Sequence, residues 1–197
     1  MPVAPARLFD ALPVDWTARV TPVAGVVGRE ITTWADIMDP AFKGKTSILN
    51  IPSIGIMDAA MICEAMGIIK YADKGNMTKA EIDTTIDFLI KAKQDGQFRA
   101  FWKSFDESVN LMASGEMVLA DAWQPAVMAV KAQGVQCSYA TMKNGYRGWA
   151  IGVSALKSSP NFDAVVAYAD YWLSGGPAVA VSEQGYYSPN DKVRAVL

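Results

Sequence analysis

The chain has 197 residues, about half of them hydrophobic and roughly a fifth charged, with a formal net charge of −2. That composition describes an ordinary globular protein with enough length for a sizeable core. It gives no footing for nucleic-acid binding, because no basic excess is present to neutralise a run of phosphates. Histidine is absent, which excludes Ser–His and Cys–His nucleophile pairs and His-ligated zinc. No metal site or cofactor is expected, since no GxGxxG or Walker motif occurs either.

The N-terminal stretch Met1-Pro-Val-Ala-Pro-Ala-Arg lacks the basic start and apolar core of a signal peptide. Residues 1–31 are rich in Pro, Val, Gly and Ala and read as extended segments and turns. Thr33-Trp-Ala-Asp36 then begins a short helix, with Thr33 as its cap and Asp36 in the first turn. Pro40 limits that helix, Lys43-Gly-Lys45 turns the chain, and Thr46 to Leu49 forms a strand.

Ile51 to Ile69 is the most apolar stretch, but Asp58 and Glu64 make it unfit to span a bilayer. It reads instead as a buried helix from about Ile54 to Met66, closed by Gly67. The next helix opens with the capping box Thr78-Lys-Ala-Glu81, places Ile82, Ile86, Leu89 and Ile90 on one face and stops at Gly96. Phe98 to Phe101 is a short strand. Asp106 or Ser108 caps a helix carrying Val109, Leu111 and Met112. Met117 to Ala122 is a buried strand, Pro125 opens a helix reaching about Ala132, and Val135 to Ala140 is a further strand.

Trp149 to Val153 has the alternation of a strand. Ser159-Pro160 is expected to cap a helix with Phe162, Val165, Val166, Ala169, Trp172 and Leu173 on its apolar face. A shorter helix covers about Pro177 to Glu183, and Gly185-Tyr-Tyr-Ser-Pro189 is a loop. Strands alternating with helices through short connections define an α/β fold. Cys63 and Cys137 belong to no CxxC unit; two buried thiols and a disulfide both remain open at this level.

In α/β sheets ligands collect beyond the carboxyl ends of strands, so the candidate binding residues are the polar and aromatic ones at those ends. They are Asn50 and Ser53 after one strand, Asp121 and Trp123 at the end of another, Arg147 and Trp149 with Tyr146 around a third, and Tyr186 with Tyr187 in the late loop. Asp121 and Trp123, two apart, should share one face. Asp106 and Glu107 are adjacent and so do not face each other on a helix, which makes them first-turn residues and not an acid/base pair. An enzyme reading would have to use Asp121 or Asp58 as a base.

Ile31-Thr-Thr-Trp-Ala-Asp-Ile-Met-Asp-Pro-Ala-Phe-Lys-Gly-Lys45 resembles a stretch found in the spermidine/putrescine-binding family of bacterial solute-binding proteins. Ala113-Ser-Gly-Glu-Met-Val-Leu-Ala-Asp-Ala-Trp123, Gly145-Tyr-Arg-Gly-Trp149, Lys157-Ser-Ser-Pro-Asn161 and Gly185-Tyr-Tyr-Ser-Pro-Asn190 are similar to later blocks of that family, in the same order. The resemblance implies a type 2 periplasmic-binding-protein fold of two α/β lobes, a solute held in the cleft, a membrane permease of an ABC importer as partner and a periplasmic location. It implies no enzyme activity. The alternatives beside it are a small α/β enzyme with a carboxylate base and a solute-sensing domain.

The family's aromatic residues around the polyamine match Trp123, Trp149 and Tyr186. Its carboxylates carry over only in part: where one pair stands this chain offers Asn50, Ser53 and, further on, Asp58, and Ile151 takes another position. Asp121 offers a negative charge and Arg147 favours a carboxylate on the ligand, so a small cationic or zwitterionic solute fits beside a polyamine. Family members also carry a substantial portion before the Trp-Ala-Asp stretch, where this chain has about thirty residues. The chain is therefore read as a remnant or crossover segment (1–31), a complete second lobe (32–143) and the return segment of the first lobe (144–197). An apolar patch is expected on the 149–197 side.

Overall fold

Among the described residues four strands form the sheet, and Thr46–Leu49 is one of its two inner strands. The computed structural model describes residues 29–190 and the backbone of Thr21–Pro22; the expectation of extended segments over 1–31 lies almost wholly outside the described residues. In chain order the strands are β1 (Thr21–Pro22), β2 (Thr46–Leu49), β3 (Phe98–Trp102) and β4 (Leu119–Ala120), arranged β1-β4-β2-β3. β2 runs parallel to both β3 and β4, whereas β1 is antiparallel to β4. The carboxyl ends of β2, β3 and β4 therefore lie along one edge of the sheet. The helices are α1 (Pro52–Ala65), α2 (Lys79–Gln94), α3 (Phe105–Ala113), α4 (Gln124–Ala132), α5 (Phe162–Leu173) and α6 (Gly175–Glu183), with short 3₁₀ turns at Trp34–Met38 and Pro40–Phe42.

The described residues fall into two compact units that divide between Arg147 and Gly148. In the unit ending at Arg147, β4 separates two apolar clusters, because successive strand residues point to opposite faces. Leu119 enters a cluster with Trp34, Ile37, Ile48, Ile62 and Met142. Ala120 enters another with Met112, Met117, Val127, Val130 and Cys137. Cys63 packs apart from Cys137, beside Ala60 and Tyr71, and both cysteines are free and buried. Burial pushes both thiols up, and it also drives the Tyr71 phenol to about 12.

Local signals account for most helix ends. Thr33 with Asp36 and Thr78 with Glu81 both form reciprocal capping boxes. Several details differ from the sequence reading. The cap of α3 is Ser104, which accepts from Glu107 N, and not Asp106 or Ser108. On α2 the side against the core centres on Thr85, Phe88, Leu89 and Ala92, which leaves Ile82, Ile86 and Ile90 more than a third exposed. The expected strands at 135–140 and 149–153 are irregular. A strand persists only where a neighbour takes its N–H and C=O groups, and no described strand pairs with either segment.

The unit from Gly148 onward holds α5 and α6. No residue of α5 is buried: Phe162, Val166, Tyr168, Tyr171, Trp172 and Leu173 are all exposed. Its apolar face exists as the pattern anticipates, but it stands uncovered.

Candidate functional site

Asp121 follows β4 directly and ties together the ends of the parallel strands. Its Oδ2 accepts from the backbone N–H of Leu49, the last residue of β2, at 2.9 Å. Its Oδ1 accepts from Nε1–H of Trp102, the last residue of β3, also at 2.9 Å. A single carboxylate thus satisfies one donor from the end of β2 and one from the end of β3, and it is only 4% exposed.

Asp58 reaches the same place from α1. The helix can approach because Gly55 has no side chain: a Cβ there would lie 2.0 Å from the Leu49 carbonyl oxygen. Ala59 and Ala60 continue the small, buried surface. Asp58 is 1% exposed and meets Arg147 in a bidentate pair, Nε to Oδ1 at 2.8 Å and Nη2 to Oδ2 at 2.9 Å. Such a fork is the strong geometry for guanidinium and carboxylate.

The two aspartates also hydrogen-bond to each other, and the environment disfavours ionising both. Burial, with the nearby Asp58 charge added, holds Asp121 well above the usual carboxylate range. Burial raises Asp58 as well, although Arg147 works against that shift. For Arg147, burial pulls downward, but the hydrogen bonds and charge of Asp58 outweigh it and the guanidinium stays charged. The cluster therefore holds two carboxyl groups beside one guanidinium, and burial favours protonation on the Asp121 side.

Trp34, Trp102 and Trp123 wall a small recess over this cluster, together with Asp58, Asp121 and Arg147. Its free volume is about 10 Å³, room for roughly one water. Trp123 packs edge-on against Trp102, with ring centroids 5.0 Å apart at 87°. The loop that brings in Arg147 is firmly held. Trp34 Nε1–H donates to Gly145 O at 3.0 Å, Lys143 N–H donates to Thr32 O at 2.8 Å, and the Tyr146 hydroxyl bonds Met142 N and Ala140 O.

Six of the nine residues singled out from the sequence, Asn50, Ser53, Asp121, Trp123, Tyr146 and Arg147, belong to this unit. Asn50 and Ser53 are exposed beyond the end of β2, and Asn50 N–H donates to Trp102 O at 2.6 Å. Trp123 is half-buried at the start of α4. Asp121 and Arg147 line the recess, but both are engaged by protein groups. The ammonium partner expected for Asp121 would meet a carboxylate already taken up by Leu49 and Trp102, and Arg147 is neutralised by Asp58. Trp149 and Tyr186 lie in the other unit and form their own pair, centroids 6.0 Å apart at 82°, with 43% and 36% of their surface exposed.

Sequence reasoning did not single out Trp102 or Trp34 for the site, and gave Asp58 only a secondary place. The available signal for Asp58 was a carboxylate inside the otherwise apolar run Ile54 to Cys63. Trp102 could be found as an aromatic at a strand's carboxyl end. As a general base either aspartate is poorly placed, since the oxygens of each are occupied by donors. No group of residues suited to hold a metal ion occurs among the described residues.

Two helices start at this edge, α1 after Ile51 and α4 after Trp123. Neither has a side-chain cap or an acidic residue in its first turn. Elsewhere in the unit α2 and α3 carry hydroxyl caps and first-turn carboxylates. In α1 the Ile54 and Gly55 amides donate to Ile51 O, and in α4 those of Ala126 and Val127 donate to Trp123 O.

The profile of the bacterial extracellular solute-binding proteins matches residues 10–196. The chain belongs to that family. The spermidine/putrescine-binding periplasmic proteins of Escherichia coli strain K12 and of Shigella flexneri are each 25% identical over 191 residues, covering 95% of this chain and 51% of theirs. The chain therefore spans about half the length of the relatives it matches. Among solved structures, the spermidine/putrescine ABC transporter substrate-binding protein PotD of Streptococcus pneumoniae superposes with a TM-score of 0.67 at 14% identity, over 92% of this chain and 53% of that one. The Atu4243-GABA receptor superposes with a TM-score of 0.66 at 21% identity, over 92% and 54%. The fold is thus the α/β fold of periplasmic binding proteins, as the sequence resemblance implied. No helix among the described residues is long and apolar enough to cross a membrane.

Proposed function

We propose that this chain serves as a solute-binding component of an ABC importer, acting in the periplasm and passing a small organic solute to a membrane permease. One observation carries the reading: in a chain of the extracellular solute-binding family, the carboxyl ends of three parallel strands converge on a tryptophan-walled recess with a polar floor. That is where α/β sheets place ligands. Trp123 supplies an aromatic face, Asn50 and Ser53 supply neutral polar contacts, and Asp121 with the Asp58–Arg147 pair forms the polar floor beneath them. Trp149 and Tyr186 form a second exposed aromatic surface, assigned to the solute by family resemblance. The reading includes residues 32–143 as one lobe and 144–197 as the return segment of the other.

Binding to the native state raises its stability by RT ln(1 + [L]/Kd), or about 2.7 kcal/mol at a hundredfold excess over Kd. A thermal-shift screen of amines, amino acids and polyamines, followed by calorimetry and recovery of the ligand, tests the proposal. A saturable shift with the ligand recovered unchanged is expected. Conversion of the ligand, or no shift from any member of the panel, would refute the assignment.

A further inference from the structure

Three indoles meet around the recess, and they are not held alike. Trp34 and Trp102 are 2% and 1% exposed, and each spends its Nε1–H inside the protein, on Gly145 O and Asp121 Oδ1. Trp123 is half-buried. Its carbonyl is fixed by the Ala126 and Val127 amides of α4, yet among the described residues its side chain makes no hydrogen bond. Its ring contact is with Trp102, edge-on at 5.0 Å and 87°, the arrangement that aromatic quadrupoles favour. The angle of the Trp123 ring therefore depends on the ring beside it.

We propose that Asp121 is a positioning residue: by fixing the Trp102 indole it sets the angle at which Trp123 offers its ring to the solute. The inference rests on the solute-binding reading and supplies the device behind its aromatic contact. Three bonds hold that device still. Asp121 Oδ1 accepts from Trp102 Nε1–H, Asp121 Oδ2 accepts from Leu49 N–H, and Trp102 O accepts from Asn50 N–H. The carboxylate thus cannot swing without releasing a main-chain donor, and Trp102 is held at both backbone and ring. Ala at position 121 would leave a buried indole N–H without an acceptor, an unfavourable state that a turn of the Trp102 ring relieves. Trp123 would then lose the edge it packs against. A ring already fixed gives up little rotamer freedom when a solute lands on it, so its orientation raises affinity without adding a contact.

Coupled indoles give an exciton couplet in circular dichroism, and Trp102→Phe and Trp123→Phe identify the share that belongs to this pair. Asp121→Ala should remove most of that couplet from the free protein. Thr85→Ala, which breaks the buried bond to the Tyr71 hydroxyl, controls for general destabilisation and should leave the couplet in place. Calorimetry with putrescine and 4-aminobutyrate as probes then reads the consequence. Whichever probe binds should be held about tenfold more weakly by Asp121→Ala, the factor that ~1.4 kcal/mol represents. Trp102→Phe removes the N–H and keeps an aromatic ring; it should weaken the probe similarly, and it carries the affinity test if Asp121→Ala fails to fold. A couplet that survives Asp121→Ala, its loss in Thr85→Ala as well, or unchanged affinity in Asp121→Ala or Trp102→Phe overturns the inference and leaves solute binding intact. Binding of neither probe to the unaltered protein overturns the solute-binding reading, and this inference with it.

Discussion

Replacing Asp58 by Ala removes the partner of a guanidinium that is only 19% exposed. The two hydrogen bonds of 2.8 and 2.9 Å disappear together, and Arg147 cannot shed its charge. Breaking a buried pair from one side costs about 3–5 kcal/mol, a large share of the roughly 5–15 kcal/mol that holds a domain folded. Arg147→Met leaves the opposite orphan, a buried carboxyl group, and that group can escape by taking a proton. With burial no longer opposed by Arg147, the folded Asp58 lies further above its unfolded value. Its unfavourable contribution is then absent below the unfolded pKa and grows as pH rises through the folded one. Urea unfolding followed by circular dichroism should therefore show Arg147→Met less damaging at pH 5 than at pH 8. The double variant should recover much of the loss, since an apolar replacement of both partners is close to neutral. Losses below about 1 kcal/mol in both single variants would mean that water already solvates the guanidinium, and the buried-pair argument would fail.

Two further outcomes follow from the same cluster. Asp121→Asn keeps one acceptor where the carboxyl group has two, so either Leu49 N–H or Trp102 Nε1–H loses its partner, at a cost of about 1–3 kcal/mol. Because the folded Asp121 is raised, the unaltered protein should lose stability as pH rises from the unfolded carboxylate value, and the variant should show a flatter profile in pH-dependent urea titrations; parallel profiles would contradict protonation favoured by burial. Gly55→Ala ought to stabilise an ordinary exposed helix by about 1 kcal/mol, yet here it should destabilise by 1–3 kcal/mol or more, because its Cβ would collide with the Leu49 carbonyl. A rise in melting temperature would show that α1 does not pack that closely.

The sequence by itself determined the elements whose causes are local. Thr78 and Glu81 sit three apart and close a capping box whatever surrounds them, and Gly67, Gly96 and Gly115 end helices because only glycine takes their positive φ without strain. The order of the family's blocks likewise identified the fold, and the residues at strand ends located Asn50, Ser53, Asp121, Trp123 and Arg147 near one edge. What tertiary structure decided was pairing. The alternation at Trp149 to Val153 is right for a strand, but period alone supplies no neighbour, and the segment is irregular. The four apolar residues on α2 share a stripe, yet the packing angle buries Thr85 and Ala92 and leaves three isoleucines half outside. Most consequential is the Asp58–Arg147 pair, 89 positions apart. Sequence can show that both charges exist, whereas only the fold shows that they pair and neutralise each other.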